Sequence, residues 1–370
     1  MRRSSSLLTC LVAIAALAAC SSGGSPAPTA ATPANAGGSP AAGSSAACNP
    51  PRQDGVTLTF ASFGGSYQDA QKKAWLEPYT QATGVQFINE ESVSNAKIKA
   101  QVEAGQVTWD VADVGNDFGL DANKDLLEPL DYSLIPRDEL NPHLGLGTYR
   151  MPIMTYGVVL AYNTSKTGAE APQGWADFFD TAKFPGKRGA YDSPTGGMFE
   201  VALLADGVAP ADLYPLDLPR ATRKLDSIKN DIVFWTSGAQ SRELIGSGEV
   251  AMSFMWNGRA WGAKHDDGKP VEIQWKQQIV TADYIVMPKG APNKEAGMRF
   301  IAYMACAANN GRLSDFISYG PANVNSKANP DMVNDLSVSH VDASSAYFDD
   351  AYLVDHFDEL DVAWQSWKSG

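Results

Sequence analysis

The chain has 370 residues, is 44% hydrophobic, contains nine Trp, and carries a formal charge of −13. So acidic a protein excludes nucleic acid as a partner and adhesion to anionic lipid through its own surface, while leaving a small ligand open.

The first segment is an address. Arg2 and Arg3 precede an apolar run from Leu7 to Ala19, and Leu17-Ala18-Ala19 leads into Cys20. A positive start, a short apolar core and small residues at a cut point make a secretory signal peptide, expected over 1–19. The apolar run is too short for a membrane span, which takes about 20 residues. Leu-Ala-Ala-Cys resembles a bacterial lipobox, which implies cleavage before Cys20 and lipid on its thiol. Loss of Arg2 and Arg3 takes the charge from −13 to −15. Ser21 to Ala47 is built almost wholly from Ser, Gly, Pro, Ala and Thr. Such a segment has too little apolar surface to offset its ordering entropy, so a disordered linker is expected over 20–53. As a flexible coil its span is about 30 Å.

The body, from Asp54 to Gly370, exceeds one typical hydrophobic core, so two lobes are expected. Val56 to Phe60 alternates as a strand; Gly64-Gly65-Ser66 turns; Tyr67 to Thr83 is helical, broken at Pro78 and closed by Gly84. Val85 to Ile88 is a strand, Asn95 to Ala104 a helix, and Asp110 to Val114 a strand. This alternation implies a largely parallel α/β sheet. A second pattern follows. Gly157 to Tyr162 is a buried strand, with helices at Trp175 to Phe179, Phe199 to Ala205 and Ala221 to Lys229. Ile232 to Phe234 is a strand, Ser241 to Ile245 helical, and Val250 to Trp256 a strand. Tyr284 to Met287 is a strand ended by Pro288, Lys294 to Ala307 an amphipathic helix, and Val362 to Lys368 closes the chain. Cys48 and Cys306 remain after processing, and in an oxidising compartment they either pair or stay as two thiols; spacing alone decides neither.

Several motifs occur together: Ala61-Ser62-Phe63-Gly64-Gly65-Ser66-Tyr67, Trp109-Asp110-Val111, Tyr156 to Asn163, Lys183-Phe184-Pro185-Gly186-Lys187, Gly248-Glu249-Val250-Ala251-Met252, Trp256-Asn257-Gly258, and Pro288 to Ala296. In this order the chain resembles the solute-binding proteins of ABC importers, in the spermidine/putrescine-binding branch. The resemblance implies a type II periplasmic-binding-protein fold, an α/β fold of two lobes around a ligand cleft. Lobe 1 would be 54–153 with 285–321 and lobe 2 154–284 with 322–370. It also implies partners: a membrane permease and ATPase subunits that hydrolyse ATP, since this chain has no Walker A motif. A monomer held to the membrane by lipid on Cys20 is expected, on the outer face of the cytoplasmic membrane or in the periplasm, with no cofactor and no metal.

Ligands of open α/β sheets lie beyond the carboxyl ends of the strands. The candidates are therefore Phe63, Ser66 and Tyr67; Asn116 and Phe118; Tyr156; Ser193 and Thr195; Trp256 and Arg259; and Asp283 with Tyr284. Aromatics on such loops cover a cation or its methylene chain. The resemblance matches Trp256 to a stacking Trp and Asp283 to the carboxylate that holds an ammonium. The chain departs from the polyamine pattern at Gly197, where that branch has an acidic group; only Asp192 remains nearby. Ser193 to Gly197 offers backbone N–H groups suited to a carboxylate, and Arg259 pairs bidentately with carboxylates. An ω-amino acid such as 4-aminobutyrate is therefore expected ahead of a polyamine such as putrescine or spermidine.

The alternative is a lipid-anchored enzyme or sensor on the same fold. Ser94-Asn95-Ala96-Lys97 and Lys166-Thr167-Gly168 resemble motifs of penicillin-recognising enzymes, without the Ser-Asp-Asn between them. His143, His265, His340 and His356 have no metal-ligand spacing. No enzyme is expected.

Overall fold

The computed structural model describes residues 47–168 and 170–370; the expectations for the signal peptide, Cys20 and most of the linker lie outside them. Among the described residues ten strands form one sheet: β1 (Thr57–Ala61), β2 (Gln86–Glu90), β3 (Val111–Val114), β4 (Arg150–Asn163), β5 (Lys187–Tyr191), β6 (Ile232–Trp235), β7 (Val250–Trp256), β8 (Val271–Val286), β9 (Gly320–Pro321) and β10 (Ala346–Tyr347). The order is β2-β1-β3-β8-β4-β7-β5-β6, with β9 on β4 and β10 on β8. β1, β2 and β3 are parallel, and so are β5, β6 and β7. Two long antiparallel strands, β4 and β8, join the two blocks along a register from Arg150↔Val286 to Asn163↔Val271.

Each block has its own core. One gathers Leu58, Phe60, Trp75, Met151, Ile285 and Phe300, extended by Trp109, Phe118 and Tyr284. The other gathers Val158, Trp175, Phe254, Ile279, Leu353 and Trp364. Trp256 packs against both. These are the two lobes expected from chain length. β4 and β8 cross between the cores, and β4 carries register shifts at Pro152/Met154 and Val158/Leu160.

Most elements begin or end within a few residues of their sequence signals. The first helix differs in kind. Gly65–Gln71 continues through a π-helical turn, Lys72–Leu76, into Glu77–Thr83. Pro78 has no N–H and would crowd the preceding turn, and the widened turn just before it lets the helix pass without a break. β8 is far longer than the four-residue strand expected, because its first half, Glu272-Ile273-Gln274-Trp275-Lys276, is too polar to read as buried. Residues 47–53, expected as the end of the linker, belong to the body. Ala47 is buried, and Cys48 is disulfide-bonded to Cys306, with Cα atoms 5.4 Å apart.

Candidate functional site

The carboxyl ends of the parallel strands converge on one cavity of about 590 Å³. β1 supplies Phe63 and Tyr67, β2 the loop Ser92–Ala96, and β3 Asn116 and Asp117. β5 supplies Ser193, Thr195 and Gly196, β6 Thr236 to Gly238, and β7 leads through Trp256 to Arg259. The crossing strands add Met154 and Tyr156 from β4 and Asp283 from β8. This is where a sheet of this topology places a ligand.

The helix Asn257–His265 that carries Arg259 is fixed at its start. Asn257 Oδ1 accepts from the Gly157 backbone N–H at 2.9 Å, and its Nδ2 donates to the Ser318 carbonyl at 2.6 Å. Gly258 leaves room for Tyr319, whose ring would lie 2.4 Å from any Cβ there. Arg259 is 6% exposed. Its Nη1 donates to Ser66 Oγ at 2.8 Å, a neutral partner, and its Nε is buried without one. A buried guanidinium so placed has charge left for a ligand.

Asp283 is 7% exposed. Burial, then the nearby Asp113 carboxyl, raise its pKa well above the usual carboxylate range. Asp113 is fully buried behind the cavity wall. Gln71 Nε2 (2.5 Å) and Ser62 Oγ (3.2 Å) donate to its Oδ2, while its Oδ1 has no partner. Burial pushes Asp113 up to about 7. The Tyr67 hydroxyl lies close to both carboxyls without an aligned hydrogen bond, and burial raises its pKa too. Aromatic rings close the rest. Trp256 meets Tyr191 at 5.3 Å and Tyr156 at 6.3 Å, both edge-on, and Tyr67 meets Tyr319 at 5.5 Å. Phe63, 44% exposed, stands at the rim.

Nine of the twelve expected ligand residues line this cavity: Phe63, Tyr67, Asn116, Tyr156, Ser193, Thr195, Trp256, Arg259 and Asp283. Ser66 stands behind Arg259. Two are turned away. Neighbours on a strand point to opposite faces, so with Asp283 toward the cavity Tyr284 enters the core behind it, donating to Asp350 Oδ2 at 2.7 Å. Phe118 packs in that same core. Asp192 also faces elsewhere. It is paired with Lys368 (2.5 Å) and accepts from Trp364 Nε1 (3.0 Å). Asp117, Tyr191, Gly238, Tyr319 and Phe348 line the cavity in addition to the individually named candidates. Asp117 lies between the candidates Asn116 and Phe118, inside the segment after β3, and Tyr191 immediately precedes the segment after β5. No local pattern marks Tyr319 or Phe348.

The enzyme-like motifs have local explanations. Ser94 caps the helix Asn95–Glu103, accepting from the Lys97 backbone N–H at 3.2 Å, and Lys97 Nζ donates to the Ser92 carbonyl at 2.7 Å. Lys166-Thr167 lies in a single helical turn after β4. His340 stacks on Trp275 and His265 on Trp261. No group of three or more metal-ligating side chains occurs among the described residues.

A cleft at the strand ends of two fused α/β blocks defines a solute-binding protein of the importer type, and the comparisons agree. The chain belongs to the bacterial extracellular solute-binding proteins, a family that matches residues 74–338. It is 34% identical over 337 residues to the gamma-aminobutyric acid-binding protein of Pseudomonas aeruginosa, covering 85% of this chain and 91% of that one. It is 41% identical to the solved Atu4243–GABA receptor, with a TM-score of 0.77 over 85% of this chain and 98% of that one. The binding protein AgtB of Agrobacterium tumefaciens R10, solved with agropinic acid, is 31% identical, with a TM-score of 0.76 over 86% of this chain and all of that one.

Proposed function

We propose that this chain captures a small solute with an ammonium at one end and a carboxylate at the other, an ω-amino acid such as 4-aminobutyrate, and delivers it to an ABC importer. The reading rests on one observation. Arg259 and Asp283 face one aromatic cavity, and Arg259 spends its hydrogen bond on a neutral serine. The ligand carboxylate pairs with Arg259, the ammonium with Asp283, and Trp256 and Tyr156 cover the methylenes between them. Two relatives named for gamma-aminobutyric acid support it. The protein binds and releases without turnover. In this reading it works as a monomer outside the cytoplasmic membrane, held by lipid on Cys20, and passes its solute to permease and ATPase subunits. The lobes divide along β4 and β8, as 54–153 with 285–321 against 154–284 with 322–370.

One observation favours a second reading. Asp117 lines the same cavity, so Asp283 and Asp117 could each hold one end of a diamine. Calorimetric titration of Arg259→Ala separates the two. Truncating one partner of a buried charge pair costs about 2–5 kcal/mol, so 4-aminobutyrate should weaken by about 30-fold or more while putrescine is unaffected or tighter. A wild-type protein that prefers putrescine to 4-aminobutyrate overturns the zwitterion reading.

A further inference from the structure

Behind the ligand cavity sits an acid that no ligand can touch. Asp113 is fully buried on β3, and one of its carboxyl oxygens has no partner. In the β3–β8 register Asp113 lies opposite Ile285, so Asp283, two residues earlier on β8, shares its face of the sheet; Asp283 opens into the cavity, with the unpaired Tyr67 hydroxyl near both. The groups facing Asp113 are Ser62 after β1, Tyr67 and Gln71 of the first helix, Asp283 of β8 and Tyr319. All are neutral or acidic. The cation nearest in effect, Arg259, acts on Asp283 and Tyr319 rather than on Asp113. Two carboxylates in one buried site resist ionising together, so the second proton leaves only at a pH well above the usual carboxylate range.

We propose that Asp113 is a positioning residue for amine selectivity: in the empty site it shares one proton with Asp283, and an incoming ammonium takes that proton's place. The balance is simple. The monoprotonated pair carries one negative charge. The ammonium binds with its own proton count unchanged, the shared proton leaves to solvent, and the doubly ionised pair faces the new cation. A neutral solute supplies no such charge and meets a pair that stays protonated. The device therefore selects for charge, which Asp283 alone does less steeply. The burial shifts of Asp113 and Asp283, both upward, point the same way.

The ligand arm of the test rests on the amine reading above; the second arm does not. Calorimetry of the whole protein with 4-aminobutyrate, and separately with putrescine, is run in phosphate and in Tris at pH 6 and pH 9. The proposal expects a buffer-dependent heat corresponding to about one proton released at pH 6 and little at pH 9, with affinity rising up to about tenfold per pH unit between them. Asp113→Asn should abolish both the release and the pH dependence. Buffer-independent heat in the wild type at pH 6 overturns it, whether or not the variant folds, and so does full proton release by Asp113→Asn. If neither probe binds, the functional reading falls, and the ligand-free protein decides this one. Its stability should fall from pH 5 to pH 8, as the shared proton is lost from the folded state, and that fall should shrink in Asp113→Asn. Parallel melting curves would overturn it.

Discussion

Two buried clusters of tyrosine and carboxylate sit on opposite faces of β8, one residue apart in sequence, and they differ in what is left over. Around Tyr284 everything is paired. Arg150 Nη2 donates to Asp350 Oδ2 at 2.6 Å, its Nη1 to the Asn116 and Phe118 carbonyls, and its Nε to the Gly145 carbonyl. Its guanidinium lies 3.8 Å from the centre of the Tyr284 ring. Asn116 occupies the other Asp350 oxygen. Around Asp283, by contrast, the Asp113 Oδ1, Tyr67 hydroxyl and Arg259 Nε are buried and unpaired. Leaving buried polar groups unmet costs about 1–3 kcal/mol each, so the second cluster is held at a cost in stability that the first does not carry. The satisfied cluster is built into the fold, while the unsatisfied one borders the cavity to which the proposed function assigns the solute.

Three experiments would break or sharpen that contrast. Arg150→Met strands Asp350 in the interior and should cost about 3–5 kcal/mol in urea unfolding; a loss under 1 kcal/mol would mean that the paired cluster is not structural. Glu200 is a third buried acid, accepting from the Tyr214 hydroxyl at 2.9 Å and raised by burial to about 7. Its folded pKa lies above its ordinary value near 4.5. The stability it confers is therefore complete in acid and is lost as pH climbs toward 7, on the order of 3 kcal/mol. Glu200→Gln should flatten that decline in thermal melts from pH 4 to 8; an unchanged slope assigns the decline elsewhere. The smallest effect belongs to Gly238, where an added Cβ would come within 2.4 Å of Arg259 Nε. Gly238→Ala should displace the guanidinium and weaken 4-aminobutyrate about tenfold, about 1.4 kcal/mol, with little change in melting temperature. Unaltered affinity would show that Arg259 has room to adjust without losing the ligand.

Much of this was legible in the chain. The alternation of short strands and helices predicts parallel blocks, and their carboxyl ends predict the cavity, because both follow from local periodicity and a topological rule. What failed was orientation. Taking Asp283 and Tyr284 together ignores the two-residue period of a strand. Phe118 sits in a loop, where nothing in sequence tells which side chains turn inward. Asp192 lost its expected place to Lys368, a partner far along the chain that no local pattern reveals. Asp113 reads as an ordinary polar residue in a buried strand, and only the approach of β8 makes it unusual. Tyr319 enters through a late return of the chain and leaves no local mark.

The bond between Cys48 and Cys306 also sets where mechanical load enters the molecule. A pull applied to the chain ahead of Ala47 meets that buried residue and then the two sulfur atoms at the end of the helix Lys294–Ala305, with Ala47 and the helix both packed into the first core. β1, whose loop carries Phe63 and Tyr67 to the cavity, begins after that junction. The front of the body is thus braced against a helix of the first core as well as against the backbone that runs on to β1.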